Sequence, residues 1–201
     1  MSSTRSERAD ALTVLAFAVA ALIVVAFSTA LRAAGIFRDD GIAWSVPIDD
    51  QPIEATADSG AIALSGIAQH AVVFAKDVNA LSVAAIIAAL ALSAVAAVAV
   101  IAAVALVAWN FLRGRIFVRA NVGALNVIGW VLVLAPLAIT FLEQIGLNGV
   151  LAALDLSGYG SGAFVDLGVI VPLFATGVAV GLVAVAFRRG VRLQKETEGL
   201  I

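Results

Sequence analysis

The stretch WNFLRGRIFVRANVGALNVIGW, Trp109 to Trp130, carries three arginines and no acid, between apolar runs almost free of charge. Arginines in that setting mark a place where the chain turns round outside an apolar medium. The flanking runs are long enough for that medium to be a bilayer, because about 20 apolar residues cross a hydrocarbon core of roughly 30 Å. Composition agrees. Of 201 residues, 63% are hydrophobic and 13% charged, where a soluble domain has roughly 45–50% and about 25%. The chain has no cysteine, which excludes disulfides, thiolate metal sites and cysteine nucleophiles.

Working outward, four segments read as spanning helices, at about 11–31, 81–109, 122–142 and 165–187. The second has 29 residues without a charge. At 1.5 Å per residue that is about 43 Å, so it must tilt or protrude. Arg5 and Arg8 ahead of the first run, with Ser28-Thr29-Ala30 after it, also resemble a cleaved leader. The 17 residues from Ala11 to Phe27 exceed the usual leader core of roughly 7–15, so a retained span is expected.

Lys and Arg gather on the cytoplasmic side of membrane proteins. Arg5 and Arg8, the loop arginines Arg113, Arg115 and Arg119, and the tail residues Arg188, Arg189, Arg192 and Lys195 make nine of the twelve basic residues. The loops between them hold Arg32, Arg38, Lys76 and ten of the fourteen acids. Both termini, the 110–121 loop and the 188–201 tail are therefore expected in the cytoplasm, with 32–80 and 143–164 as outer loops. Trp109, Phe111 and Phe117 suit the interfacial aromatic belt. The arginines act first as a topology device at the anionic inner leaflet; a docking surface for a cytoplasmic protein is the sharper alternative.

The first outer loop is punctuated by Pro47, Pro52 and glycines. Its short apolar pieces Ala61 to Leu64 and Ala71 to Ala75 favour strands, so a small extracytoplasmic β cap is expected on an all-α four-helix membrane bundle. SGYGSG, Ser157 to Gly162, reads as a flexible turn in the second outer loop, with room for one further strand of the cap. Asp39, Asp40, Asp49, Asp50, Glu54 and Asp58 form an acidic cluster. Carboxylates in number suit calcium, but the spacing matches no calcium loop, and a solvated negative face is the plainer reading. His70 is the single histidine, which excludes a multi-histidine metal site.

Pro136 and Pro172 each remove a backbone donor inside a span, freeing the carbonyls of Leu132 and Gly168 and predicting kinks. Beyond them lie Glu143, at the predicted end of the third span, and Asp166, at the start of the fourth. Acids in spans often mark ion pathways, which makes Pro136, Glu143, Asp166 and Pro172 the candidate permeation residues. At helix ends, however, capping and solvation explain such acids, and no charge lies deep in any span. Gly177 and Gly181 on the fourth span, and Ala89, Ser93 and Ala97 on the second, give small-residue faces for close helix approach. Packing within the bundle accounts for them; homo-oligomerisation is the other use.

In the tail, Arg188, Arg192 and Lys195 share a helical face, with Glu196 and Glu198 following; pairing of these acids with Arg113, Arg115 or Arg119 is one expectation. The motif RGRIFVRANVGALNVIGW, Arg113 to Trp130, followed by FRRGVRLQKETEGLI at the C-terminus, resembles the bacterial four-span proteins described as YoaS-like, a domain of unknown function. Phe117 and Asn121 occupy the family's "R-G-x-x-F-x-x-x-N" positions, and Arg188, Arg189, Gly190, Arg192 and Glu196 its basic-acidic end. Ile116 stands where a proline is common, which leaves the local turn less rigidly specified. The resemblance implies a membrane component that binds or controls a small helix-turn-helix regulator. It carries over no catalytic residue.

No serine, histidine and acid arrangement, metal-ligand set or phosphate loop is visible, so neither an enzyme nor a cofactor is expected, and no direct nucleic-acid binding. The leading expectation is a regulatory membrane protein that engages a cytoplasmic partner through Arg113, Arg115, Phe117, Arg119, Asn121, Arg188, Arg189, Arg192 and Glu196. Permeation of an ion or solute, and a structural subunit of a larger membrane complex, are the alternatives.

Overall fold

The computed structural model describes residues 5–57, 62–156 and 167–198. In chain order they form α1 (Arg5–Ile36), β1 (Phe37–Arg38), β2 (Gly41–Ala57), β3 (Ile62–Ala75), α2 (Ala80–Leu112), α3 (Arg119–Ala153) and α4 (Leu167–Glu198). Each helix is long and apolar enough to cross a membrane, over Leu12–Ile36, Ala80–Leu112, Arg119–Ala153 and Leu167–Gln194. Large apolar side chains such as Phe17, Trp130, Phe141 and Leu182 are mostly exposed along them. Apolar exposure on this scale needs lipid rather than water, and the chain is a multi-pass membrane protein.

The chain divides into two compact units. The membrane unit takes α1 up to Leu31, α2 from Ala88, α3 up to Leu142, and α4; the hairpin unit takes Arg32–Ile87 and α3 from Glu143. In the membrane unit, Ala103 of α2 and Ala124 and Ile128 of α3 are buried together, with Val100, Val107, Leu132 and Val180 packed around them. Small residues bring α3 and α4 close. A Cβ on Gly177 would lie 2.8 Å from the Gly129 carbonyl oxygen and 2.8 Å from Val133 Cγ2, so Gly177 is spent on packing inside the unit. α1 contributes a narrower stripe, with Leu15, Ala18, Ala21, Val25 and Thr29 half-buried at helical spacing.

In the hairpin unit, β1, β2 and β3 form an antiparallel sheet in that order. The expected strands at 61–64 and 71–75 are one strand, Ile62–Ala75. Its partner β2 runs through both prolines that read as punctuation. β1 pairs only with Gly41 and Ile42, so from Ala43 onward β2 is an edge strand, where a missing N–H is tolerated. Pro47 pairs with His70, but the next pair is Gln51 with Ala68; the ladder is interrupted between them, a further place where proline is at home.

Near the helices the sheet buries chiefly one face. Ile42, Trp44 and Val46 lie opposite Ala75, Val73 and Ala71. Val46 packs with Leu147 and Leu151 of α3, flanked by Trp44 and Val73. Buried aliphatics of this kind contribute roughly 1.5–3 kcal/mol each. That burial explains why α3 does not stop at Leu142, as its polar residues suggested. Gly146, Leu147, Val150 and Leu151 make a buried helical stripe, which draws the helix on to Ala153.

The excess length of α2 is used in the same way. Its first turns belong to the hairpin unit, with Ser82, Ala85 and Ile86 buried. Asn79 caps this helix, its Oδ1 accepting the Ser82 N–H at 2.9 Å. Ser82 in turn donates its hydroxyl to the Ile145 carbonyl at 3.1 Å.

Candidate functional site

The residues of the opening motif assemble at the turn between α2 and α3. α2 ends in a tight turn: Gly114 has φ +69°, the left-handed conformation that closes helices most readily with glycine. Its N–H bonds the Phe111 carbonyl at 2.9 Å, and the Asn110 carbonyl accepts the N–H groups of Arg113 and Arg115 at 3.2 and 2.9 Å. The Asn110 side chain donates to Asn121 Oδ1 at 2.7 Å. Asn121 Nδ2 donates to the carbonyls of Arg115 and Ile116 at 3.2 and 2.8 Å. Asn121 is 0% exposed. It faces inward, and its chemistry is consumed in folding the loop.

Phe117 binds this turn to α4. Its ring lies 5.5 Å from that of Phe187, tilted by 47°. On Gly190 a Cβ would come 2.6 Å from Phe117 Cδ1, so the missing side chain is the seat of the ring. The two distinctive motifs thus explain each other: the phenylalanine of one lies on the glycine of the other. A proline before Phe117 is not required to hold this turn, because the two asparagines and Gly114 do so.

What remains on the surface is charge. Arg113, Arg115, Arg119, Arg188, Arg189 and Arg192 are all exposed. At about 100° per residue, the three tail arginines lie on α4 away from the Phe187 and Gly190 face that receives Phe117. The Arg113 guanidinium sits 4.6 Å from the centre of the Trp109 ring, a cation–π contact of about 0.5–1 kcal/mol at an exposed site. Glu196 bonds Arg192 one turn earlier on its own helix at 2.8 Å and not a loop arginine; local spacing beats a longer reach. The side chains of Lys195 and Glu198 lie outside the described residues. Among the described residues, Arg115, Arg119, Arg188 and Arg189 have no carboxylate within ion-pair distance.

The permeation candidates Pro136, Glu143 and Pro172 are spread over α3 and α4. Glu143 is not at a helix end but inside α3, ion-paired to Arg32 of α1 at 2.5 Å. Pro136 lies within α3 and Pro172 within α4. The Pro172 carbonyl accepts the Thr176 hydroxyl at 2.8 Å. Asp166 and the SGYGSG turn, and with them the expected capping role and further cap strand, lie outside the described residues.

In the acidic cluster, Asp39 and Asp40 are exposed in the β1–β2 turn. Asp49, Asp50 and Glu54 belong to β2, and Asp58 lies outside the described residues. Among the described residues no three His, Asp or Glu side chains group as a metal site. His70 is exposed on β3.

Asn110, Phe187 and Arg32 do site or pairing work that the sequence reading did not assign. A signal for the first was present: Asn110 and Asn121 are amides placed on either side of one turn at the ends of two apolar runs. No family model, curated protein or solved structure matches this chain.

Proposed function

We propose that this chain is a non-enzymatic regulatory protein of the bacterial cytoplasmic membrane that holds a cytoplasmic protein partner against the arginines of its α2–α3 turn and of α4. The observation that carries this reading is the exposed set Arg113, Arg115, Arg119, Arg188 and Arg189, mounted on a turn and a helix fastened together by Phe117 and Gly190. A fixed basic surface suits recognition of an acidic protein face, since bidentate arginine contacts to carboxylates need defined geometry.

The charge distribution along the sequence supports a cytoplasmic position for this surface and an outer position for the hairpin unit. The resemblance to YoaS-like proteins points to a small helix-turn-helix regulator as the partner. Within the candidate set, Asn121 and Phe117 act as the mount and the arginines as the contact.

Crosslinking in native membranes followed by pulldown tests the proposal. The wild-type chain is expected to recover one cytoplasmic protein, and Arg113→Ala with Arg115→Ala to lose it. Equal recovery from the variant, at equal abundance in the membrane, refutes the contact. A reporter fused after Ile201 is expected to be active only in the cytoplasm; activity on the other side refutes the orientation.

A further inference from the structure

Between the end of α1 and the start of α2, the hairpin unit forms an open bowl of about 520 Å³. Its floor is the buried pair Ile42 and Ala75, and its charged lining is Arg38, Asp39, Lys76 and Asp77. Phe37 and Val78 add an apolar side. Two backbone positions fix the shape. Gly41 has φ +123°, and any Cβ there would run into the Ala75 carbonyl oxygen. Asp77 has φ +62°, a left-handed conformation that few residues other than glycine adopt, Asp and Asn among them.

Arg38 is held in place. Its Nε donates to the Gly35 carbonyl at 3.0 Å, and its guanidinium carbon lies 5.7 Å from the centre of the Phe74 ring. Both contacts leave its Nη groups for a ligand, and a side chain already ordered loses less freedom on binding. Lys76 is exposed, and among the described residues it has no carboxylate within ion-pair distance.

We propose that this bowl binds the phosphoethanolamine headgroup of a membrane lipid, its phosphate between Arg38 and Lys76 and its ammonium group at Asp39 and Asp77. The balance of charge selects this chemistry. Two cations alone would accept any phosphate ester, but two carboxylates in the same lining repel a headgroup with net negative charge and hydrogen-bond a primary ammonium. A quaternary amine has no N–H to donate. Position selects a lipid as the source: Phe37 directly follows the apolar stretch Leu12–Ile36, and Val78 lies just before Ala80, where the next begins. Two helices long and apolar enough to cross a membrane therefore end beside the bowl, and its apolar side suits the glycerol and upper acyl region. The inference requires neither the cytoplasmic partner nor a given orientation of the chain.

Native mass spectrometry of the full chain in detergent, equilibrated with equal amounts of phosphatidylethanolamine, phosphatidylglycerol and phosphatidylcholine, tests it. Phosphatidylethanolamine is expected to be retained about fivefold over either competitor, a difference of about 1 kcal/mol. Arg38→Gln with Lys76→Gln is expected to abolish the preference, and Asp39→Asn with Asp77→Asn to turn it toward phosphatidylglycerol. Added soluble phosphoethanolamine separates the sources. Displacement at equal concentration assigns the site to the free phosphate ester, and resistance assigns it to the lipid. Equal retention of the three lipids overturns the proposal, and so does an unchanged preference in the glutamine pair. Should the glutamine pair fail to fold, the asparagine pair decides alone, and a preference unchanged there overturns the assignment.

Discussion

The α2–α3 turn and the hairpin unit are fastened by different chemistry. At the turn, two buried amides satisfy one another and two loop carbonyls, and an aromatic ring lies on a glycine. In the hairpin unit the fastening is mainly apolar, through Val46, Leu147 and Leu151, with helices brought close by Gly146 and Gly149, the Ser82 hydroxyl bonded to the Ile145 carbonyl, and Arg32 ion-paired to Glu143 at the surface. The first arrangement is specific and unforgiving, because a buried amide has few acceptable partners. The second tolerates change so long as volume is kept. A surface that must present charges in fixed positions gains from the first kind.

Four substitutions sharpen or break this contrast, each read as the shift in unfolding midpoint of the purified protein in detergent. Asn121→Leu leaves the Asn110 amide and the carbonyls of Arg115 and Ile116 without partners. At about 1–3 kcal/mol for each orphaned group, it is expected to cost about 3–5 kcal/mol. If it proves as mild as a surface change, the turn is not held by its amides.

Gly149→Ala comes next. Its Cβ would land on the Ser82 side chain, an overpacking expected to cost about 2 kcal/mol. Ser82→Gly in the same chain should restore part of that, and no restoration would deny the close approach of α2 and α3.

Gly190→Ala is expected to cost about 1 kcal/mol, because Phe117 is 45% exposed and its ring can give way. In a Phe117→Ala background the cost should vanish, the double-mutant signature of direct contact. Arg32→Gln should have the smallest effect. Its pair with Glu143 is 52% and 32% exposed, which places it at about 0–1 kcal/mol and shrinking with salt. A loss as large as that of Asn121→Leu would make the hairpin unit electrostatically held and erase the distinction.

The four helices were legible because apolar length is a local property, and the arginines because charge is visible without a fold. Helix ends were less so. Glu143 read as the end of a span, yet Leu147, Val150 and Leu151 just beyond it are spaced for one buried face. A helix that leaves lipid but stays packed on protein carries both signals at once. Pro47 and Pro52 hid the length of β2, because whether a proline breaks a strand depends on which edge is free, a fact of pairing and not of composition.

The contact of Phe117 with Gly190 joins positions far apart in the chain. Nothing in either segment alone distinguishes a ring seat from an ordinary helix glycine. The bowl at Arg38 and Lys76 was hidden for a related reason: its two halves come from opposite ends of the hairpin, and only strand pairing brings them together.

The interruption in the hairpin has a consequence for its charge. Between the pairs Pro47 with His70 and Gln51 with Ala68, β2 advances four residues while β3 advances two. The surplus is two, an even number, so the alternation of sides along β2 stays in phase beyond it. Ile48, Asp49 and Asp50 lie between those pairs, opposite Gln69 alone. Excising the acidic dipeptide would therefore let the ladder close with the backbone alternation of β2 in phase, whereas excising one aspartate alone would put the two lengths of the strand out of phase.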